Sequence, residues 1–347
     1  MENEEKNIFS KILKKRTLKI LLIPLLLFLF VGIFCFIYLA EAKTDNVRKV
    51  TLLIYPKDDF TAVKSDLIRE GVVGSSNIPF SLFSKVLRYS ENVKAGHYVI
   101  EPKTSVLSLV RKLRAGNQDP VKMVILTSRT AEDFSKKVCN HLMIDHDELM
   151  KEIKTRTVNH TNEIFEYIVP NTYDVYWTTT ARDFLDKLKK ESDRFWQKNE
   201  EKLKSSALTK REVIILASIV GEETNKRDEM PRIAGVYINR LKKNMLLQAD
   251  PTVKFAVGDF SLRRITGKHL QTESEFNTYK HSGLPPAPIC MPSTEALSAV
   301  LNYERHDYVY FCAKEDFSGY HNFASTHAEH IQNAIRYRNA LNQRGIK

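Results

Sequence analysis

LTKREVIILASIVGEETNKRDEM, residues 208–230, joins an apolar run to a pair of carboxylates. Thr209 followed three residues later by Glu212 is a capping box, so a helix starts here. Its interior, Val213 to Val220, is apolar on nearly every side, a pattern that a helix shows only when other elements bury it all round. A helix wrapped in this way needs a substantial body around it. Glu222 and Glu223 close the run, and neighbours on a helix point about 100° apart, so the two carboxylates cannot enter one pocket. Glu223 shares a face with Leu216 and Ile219, whereas Glu222 follows Ile215 and Ser218. A carboxyl group leaving an apolar face is poorly solvated, and its pKa rises. A general acid needs that property near neutral pH. The competing reading places both glutamates in water at the end of the helix, where the dipole gives acidic residues no stabilisation.

Working back towards the N-terminus, residues 181–204 read as one charged helix with an apolar stripe of Phe184, Leu185, Leu188, Phe195 and Trp196, which is core packing. Residues 164–177 are aromatic and irregular, with a turn at Pro170-Asn171. Val121–Leu126 is a strand, followed by a helix led by Thr130. Earlier still, RKVTLLIYP (48–56) reads as a strand, residues 60–68 and 79–89 as helices, and HYVIEP (97–102) as a returning strand. Thr104 is the expected cap of a further helix bearing Val106, Leu109, Val110 and Leu113, which Gly116 stops. The expected fold is α+β: a small α+β module over 44–118 and a larger mixed α+β domain over 119–347.

A chain of 347 residues has room for both. Its net charge of +11 is partly concentrated before residue 20, at Lys11, Lys14, Lys15, Arg16 and Lys19. That charge suits an anionic surface or polymer, and no basic helix or other nucleic-acid signature accompanies it. Residues 20–40, ILLIPLLLFLFVGIFCFIYLA, carry no charge and are long enough to cross a hydrocarbon core of about 30 Å. The basic segment 1–19 then stays in the cytoplasm by the positive-inside rule, and the body lies on the far side of the membrane. Ala40-Glu41-Ala42 resembles a signal-peptidase site, but a cleaved apolar region is shorter than this one. Cys35, Cys139, Cys290 and Cys312 form no CxxC pair and read as thiols rather than a disulfide framework.

The block ASIVGEET…RIAGVYINRL (217–241) resembles the MltG/YceG-type endolytic murein transglycosylases. So do LLQADPTVKF (246–255), FNTYKHSGLPPAPICMPS (276–293) and YVYFCAKEDFSGYHNFASTHAEHIQ (308–332). KAGHYVIEP (94–102) is similar to that family's LysM-like module. The resemblance implies a lyase that cuts nascent peptidoglycan glycan strands, with wall-synthesis enzymes as partners and no cofactor. The family pattern ASIVExE places the catalytic glutamate at Glu223; this chain has Gly221 at the first glutamate of the pattern and Ala287 in place of the glycine of GLPPGPI. One glutamate suffices for that chemistry. It protonates the leaving oxygen, then takes a proton from the muramic acid C6 hydroxyl, which closes a 1,6-anhydro ring.

The matching segments supply candidates for a sugar groove: Gln248, Asp250 and Thr252, then Asn277 and Tyr279, then Gly283, Leu284 and Pro285, and finally His321 and Phe323. Asp250-Pro251 reads equally well as a turn. His321, His327 and His330 match no zinc spacing, so no metal site is expected. Two other functions stand beside the lyase. One is a muramidase-type hydrolase that pairs Glu223 with Asp250 or another acid, and the other a non-enzymatic wall-binding scaffold.

Overall fold

The computed structural model describes residues 26–34, 36–74, 77–262 and 264–345. The chain divides into two compact units, one of residues up to Val121 with Tyr176–Thr178, the other of Lys122–Val175 with Thr179 onward. Both mix helices with short strands, so the architecture is α+β.

The smaller unit contains β1 (Val50–Ile54), α1 (Phe60–Arg69), α2 (Ile78–Val86), β2 (Gly96–Ile100) and α3 (Val106–Ala115). β1 and β2 are antiparallel, with Val50 opposite Ile100 and Ile54 opposite Gly96. Period-two alternation buries Val50, Leu52 and Ile54 on the same side as Tyr98 and Ile100, and the helices cover that face with Leu67, Phe80, Phe83, Leu109 and Leu113. The expected cap of α3 is corrected. Ser105 holds the N-cap position without a side-chain bond to the helix, and the Thr104 hydroxyl turns back to the Glu101 carbonyl, 2.7 Å away. At the other end Gly116 takes φ +72°, the left-handed stop its lack of a side chain permits. Residues 26–34 and 36–40 are helical, with large apolar side chains exposed. Among the described residues no helix is long and apolar enough to cross a membrane. The expected span 20–40 begins outside the described residues, and the basic segment 1–19 lies wholly outside them.

The larger unit opens with β3 (Val121–Ile125, its first residue in the smaller unit), α4 (Ala131–Cys139), α5 (His146–Arg156), a 3₁₀ segment (Thr161–Tyr167) and β4 (Asn171–Val175). β3 pairs with β4. Next come α6 (Ala181–Lys198) and α7 (Glu200–Ser206). The single helix expected over 181–204 is thus broken at Asn199, whose side-chain amide bonds the Phe195 carbonyl at 2.9 Å and whose backbone leaves the helical region. Then follow α8 (Lys210–Glu223), α9 (Met230–Lys242), α10 (Asp250–Val257), α11 (Gly267–Leu270), α12 (Thr294–Leu301), β5 (Tyr310–Ala313), β6 (His321–Ala324) and α13 (His327–Gln343). β5 and β6 form an antiparallel hairpin. Asp250-Pro251, readable as a turn, instead begins α10, where proline's fixed φ and missing N–H cost nothing.

α8 lies at the centre of this unit. Its capping box is formed in both directions between Thr209 and Glu212, and every residue from Val213 to Val220 is buried. α9 and α12 pack against it with Ile233, Ala234, Tyr237, Ala296 and Val300. The one hydroxyl in the run, Ser218, donates to the Ile215 carbonyl at 2.7 Å and accepts from the Ile289 N–H at 3.1 Å, which fastens the 283–290 loop along the helix. Truncating fully buried Leu216 to alanine is expected to cost about 2–5 kcal/mol. Thr209→Ala, which removes only the cap, should cost about 1 kcal/mol. Urea unfolding of the two variants measures both, and similar losses would mean that the α8 interior is not the core described here.

Candidate active site

α8 delivers Glu223 in its last turn, and α9 returns alongside it with Tyr237 fully buried. The Tyr237 hydroxyl donates to Glu223 Oε1 at 2.5 Å. Oε2 has no partner among the described residues. Glu223 is half-buried, and burial pushes its pKa from 4.5 up to about 7. The Tyr237 hydrogen bond pulls it back down, the Asp250 carboxylate adds to the rise, and the Arg240 guanidinium opposes it. Glu222 points elsewhere, as helix geometry requires: it is exposed and 3.1 Å from Arg129. Three residues beyond Tyr237, buried Arg240 donates to the carbonyls of Val309 (2.6 Å), Leu247 (2.8 Å) and Leu246 (3.2 Å). One side chain therefore ties the segment leading into α10 and the start of β5 to α9.

Glu223 opens into a cleft of about 640 Å³. Asp250 and Lys254 of α10 form one wall, Arg264 and Ile265 another, and Tyr337 of α13 faces in. Of the residues expected from sequence, Asp250 lines the cleft with Glu223, and the Tyr279 hydroxyl donates to Asp250 Oδ1 at 2.7 Å. Thr252 and Asn277 are buried and bond within the protein. The Thr252 hydroxyl meets the Ala249 carbonyl and the Thr278 hydroxyl, and the Asn277 amide meets the carbonyls of Leu270 and Thr272. Thr252 thus holds the 270–281 segment against the start of α10, and Asn277 closes that segment on itself. Gln248 is exposed, at φ +49°, with its amide oxygen 3.4 Å from Arg240.

Gly283, Leu284 and Pro285 lie outside the cleft lining: Gly283 turns at φ +83°, and Leu284 packs on the α8 core. His321 also lies outside it, its backbone N–H and ring Nδ1 both 2.8 Å from the buried Glu229 carboxylate. Phe311 meets His321 edge-on on one side and Tyr237 edge-on on the other. Phe323 packs on Phe311 and Tyr308. His321 and Phe323 thus back the Tyr237 ring. Sequence reasoning missed Tyr237, Arg240, Lys254, Arg264 and Tyr337. A tyrosine and an arginine three apart within the otherwise apolar GVYINRL were the available signal for the first two.

Because the folded protein holds the Glu223 proton more tightly than the unfolded chain does, this group's contribution to stability is complete below pH 4.5 and is lost as pH rises through about 7. The loss amounts to about 3 kcal/mol. Glu223→Gln, uncharged throughout, is expected to melt increasingly above the wild type between pH 4 and pH 8. A melting difference that calorimetry finds independent of pH would mean that the carboxyl is well solvated.

The chain spans about half the length of two curated relatives, endolytic murein transglycosylases of Streptococcus pneumoniae strains D39 and R6. Each is 26% identical over 315 residues, which cover 81% of this chain and 56% of the relative. An endolytic murein transglycosylase of Bacillus subtilis strain 168 is 27% identical over 332 residues, covering 88% of this chain and 89% of the relative. A crystal structure of a yceG-like protein from Listeria monocytogenes superposes with a TM-score of 0.53 at 27% identity, covering 82% of this chain and all but 1% of its own. A family model described as YceG-like matches residues 52–336, well over half of the sequence, and the chain accordingly belongs to the YceG-like family.

Proposed function

We propose that the chain is an endolytic lytic transglycosylase that cleaves peptidoglycan glycan strands, with Glu223 as its acid and base. The observation that carries this reading is a carboxyl group at the floor of a cleft with a pKa of about 7, which holds a proton at the pH where it must give one up. The relatives' shared description as endolytic murein transglycosylases supplies the substrate class.

In this mechanism Tyr237 holds Oε1 and leaves Oε2 to face the glycosidic oxygen. Protonated Glu223 gives its proton to that oxygen as the bond to C1 of the muramic acid breaks. The resulting carboxylate accepts the proton of the same sugar's C6 hydroxyl, whose oxygen bonds to C1. The product is a 1,6-anhydro end, Glu223 is protonated again, and no water is consumed. Intramolecular attack carries a large entropic advantage. Asp250, held by Tyr279, places negative charge in the cleft where an oxocarbenium-like centre develops. Cutting nascent strands in this way would terminate their growth.

The rest of the organisation belongs to the same proposal. Residues 20–40 form a single-pass anchor in the inner membrane with residues 1–19 in the cytoplasm, 44–118 a LysM-like wall-binding module, and 119–347 the catalytic domain. The exposed apolar side chains over 26–34 and 36–38 support the anchor. Glycan strands are the substrate, and wall-synthesis enzymes are the partners. A second reading, hydrolysis with Asp250 as the other carboxylate, is favoured by one observation: Asp250 lines the same cleft.

Mass spectrometry of products from uncrosslinked glycan strands tests the proposal. Anhydro-muramyl ends that disappear in Glu223→Gln are expected. Reducing ends would move the assignment to hydrolysis, and full activity in the variant would remove Glu223 from the mechanism. In Tyr237→Phe the carboxylate loses a hydrogen bond that favours its charged form, so the alkaline limb of kcat/KM should move to higher pH. An unmoved limb would show that the group titrating there is not Glu223.

A further inference from the structure

The smaller unit carries a second cavity, of about 620 Å³, lined by Arg88, Lys94, Arg111 and Arg114 against one carboxylate, Glu91. None of the four cations makes an ion pair, a side-chain hydrogen bond or a ring contact among the described residues. Their neighbours do otherwise: Lys112 meets Asp119 at 2.7 Å and the Val99 carbonyl at 2.9 Å, and Lys49 meets Glu101 at 2.7 Å. All four are exposed, and their shared positive potential, opposed by Glu91 alone, favours an anion between them.

Two features of the backbone set the cluster in place. α2 ends in a Schellman motif, in which the Arg88 N–H bonds the Lys85 carbonyl and the Tyr89 N–H bonds the Ser84 carbonyl. Arg88 occupies its left-handed position at φ +56°, where glycine is the unstrained residue, so the chain keeps a guanidinium at a backbone cost. At the far rim the Lys94 stem lies across Gly116, so close that a Cβ there would stand 2.8 Å from Lys94 Cδ. Between them Arg111 and Arg114, three apart on the outer face of α3, point into the same space, while Leu109, Val110 and Leu113 pack inward.

We propose that this cavity is a phosphate-binding site, engaging a lipid headgroup or a free phosphate through three guanidinium groups and one ammonium. Guanidinium forks match phosphate oxygens two at a time, and the cavity holds three of them. The apolar helical residues 26–34 and 36–40 belong to the same unit, which makes a headgroup one natural source. The inference is independent of the chemistry at Glu223.

Isothermal titration of the full chain in neutral detergent micelles with inorganic pyrophosphate tests it. Saturable binding is expected, at least tenfold weaker in Arg88→Gly and in Arg111→Gln. Arg88→Gly suits the local backbone and should fold at least as stably as the wild type, so loss of binding there reports the side chain. Adding phosphatidylglycerol to the micelles identifies the source: competition with pyrophosphate establishes a headgroup site, and undiminished pyrophosphate binding a site for free phosphate. No saturable heat from the wild type, or binding by both variants as tight as the wild type's, overturns the proposal.

Discussion

Everything at the site follows from burying α8 on all sides up to its last turn. A helix enclosed in this way offers its final carboxylate no bulk water on the apolar face, so Glu223 leaves the core carrying the desolvation that raises its pKa. The same burial fixes direction. With Val213 to Val220 locked against α9 and α12, the helix cannot rotate, and the 100° step between neighbours sends Glu222 to Arg129 and Glu223 to Tyr237. Two adjacent glutamates of equal intrinsic acidity thereby acquire different surroundings.

A second layer keeps this arrangement rigid. Tyr237 is fully buried, with Phe311 on its edge, and Phe311 in turn meets His321, which Glu229 orients. Arg240 satisfies three carbonyls that would otherwise be left facing a buried space, and in doing so it positions the approach to Asp250. Buried polar groups of this kind are stabilising only when every member has a partner, and this set does. Serine and asparagine play similar parts nearby, Ser218 for the 283–290 loop and Asn277 for the 270–281 segment.

The sequence made α8 legible because its signals are local: a capping box, an unbroken apolar run, and carboxylates whose relative directions follow from helix geometry alone. The βααβ order of the smaller unit was legible for the same reason, through alternation in 50–54 and 96–100 and through Gly116. What stayed hidden depends on distant partners. Tyr237 is fourteen positions from the carboxylate it holds, Tyr337 reaches the cleft from the last helix, and Arg264 enters from an irregular segment without periodicity. Thr104 and Asn199 are local failures of another kind. Each has a polar side chain able to bond several backbone groups, and tertiary packing selects which one. Thr252 and Asn277 looked like sugar ligands by composition, yet their polar atoms are taken up by the fold.

Gly221 stands just before the two glutamates, and a Cβ there would come within 3.3 Å of the Ala296 Cβ on α12. At that spacing the facing surfaces of the two helices are almost bare backbone, with no side chain between them to act as a spacer. A relative with glutamate at this position must hold the helices further apart or turn the longer side chain out of the seam. The interhelical gap, rather than the extra charge, is therefore the quantity that should differ most between such relatives and this chain, and it lies two residues from the carboxyl group whose direction it sets.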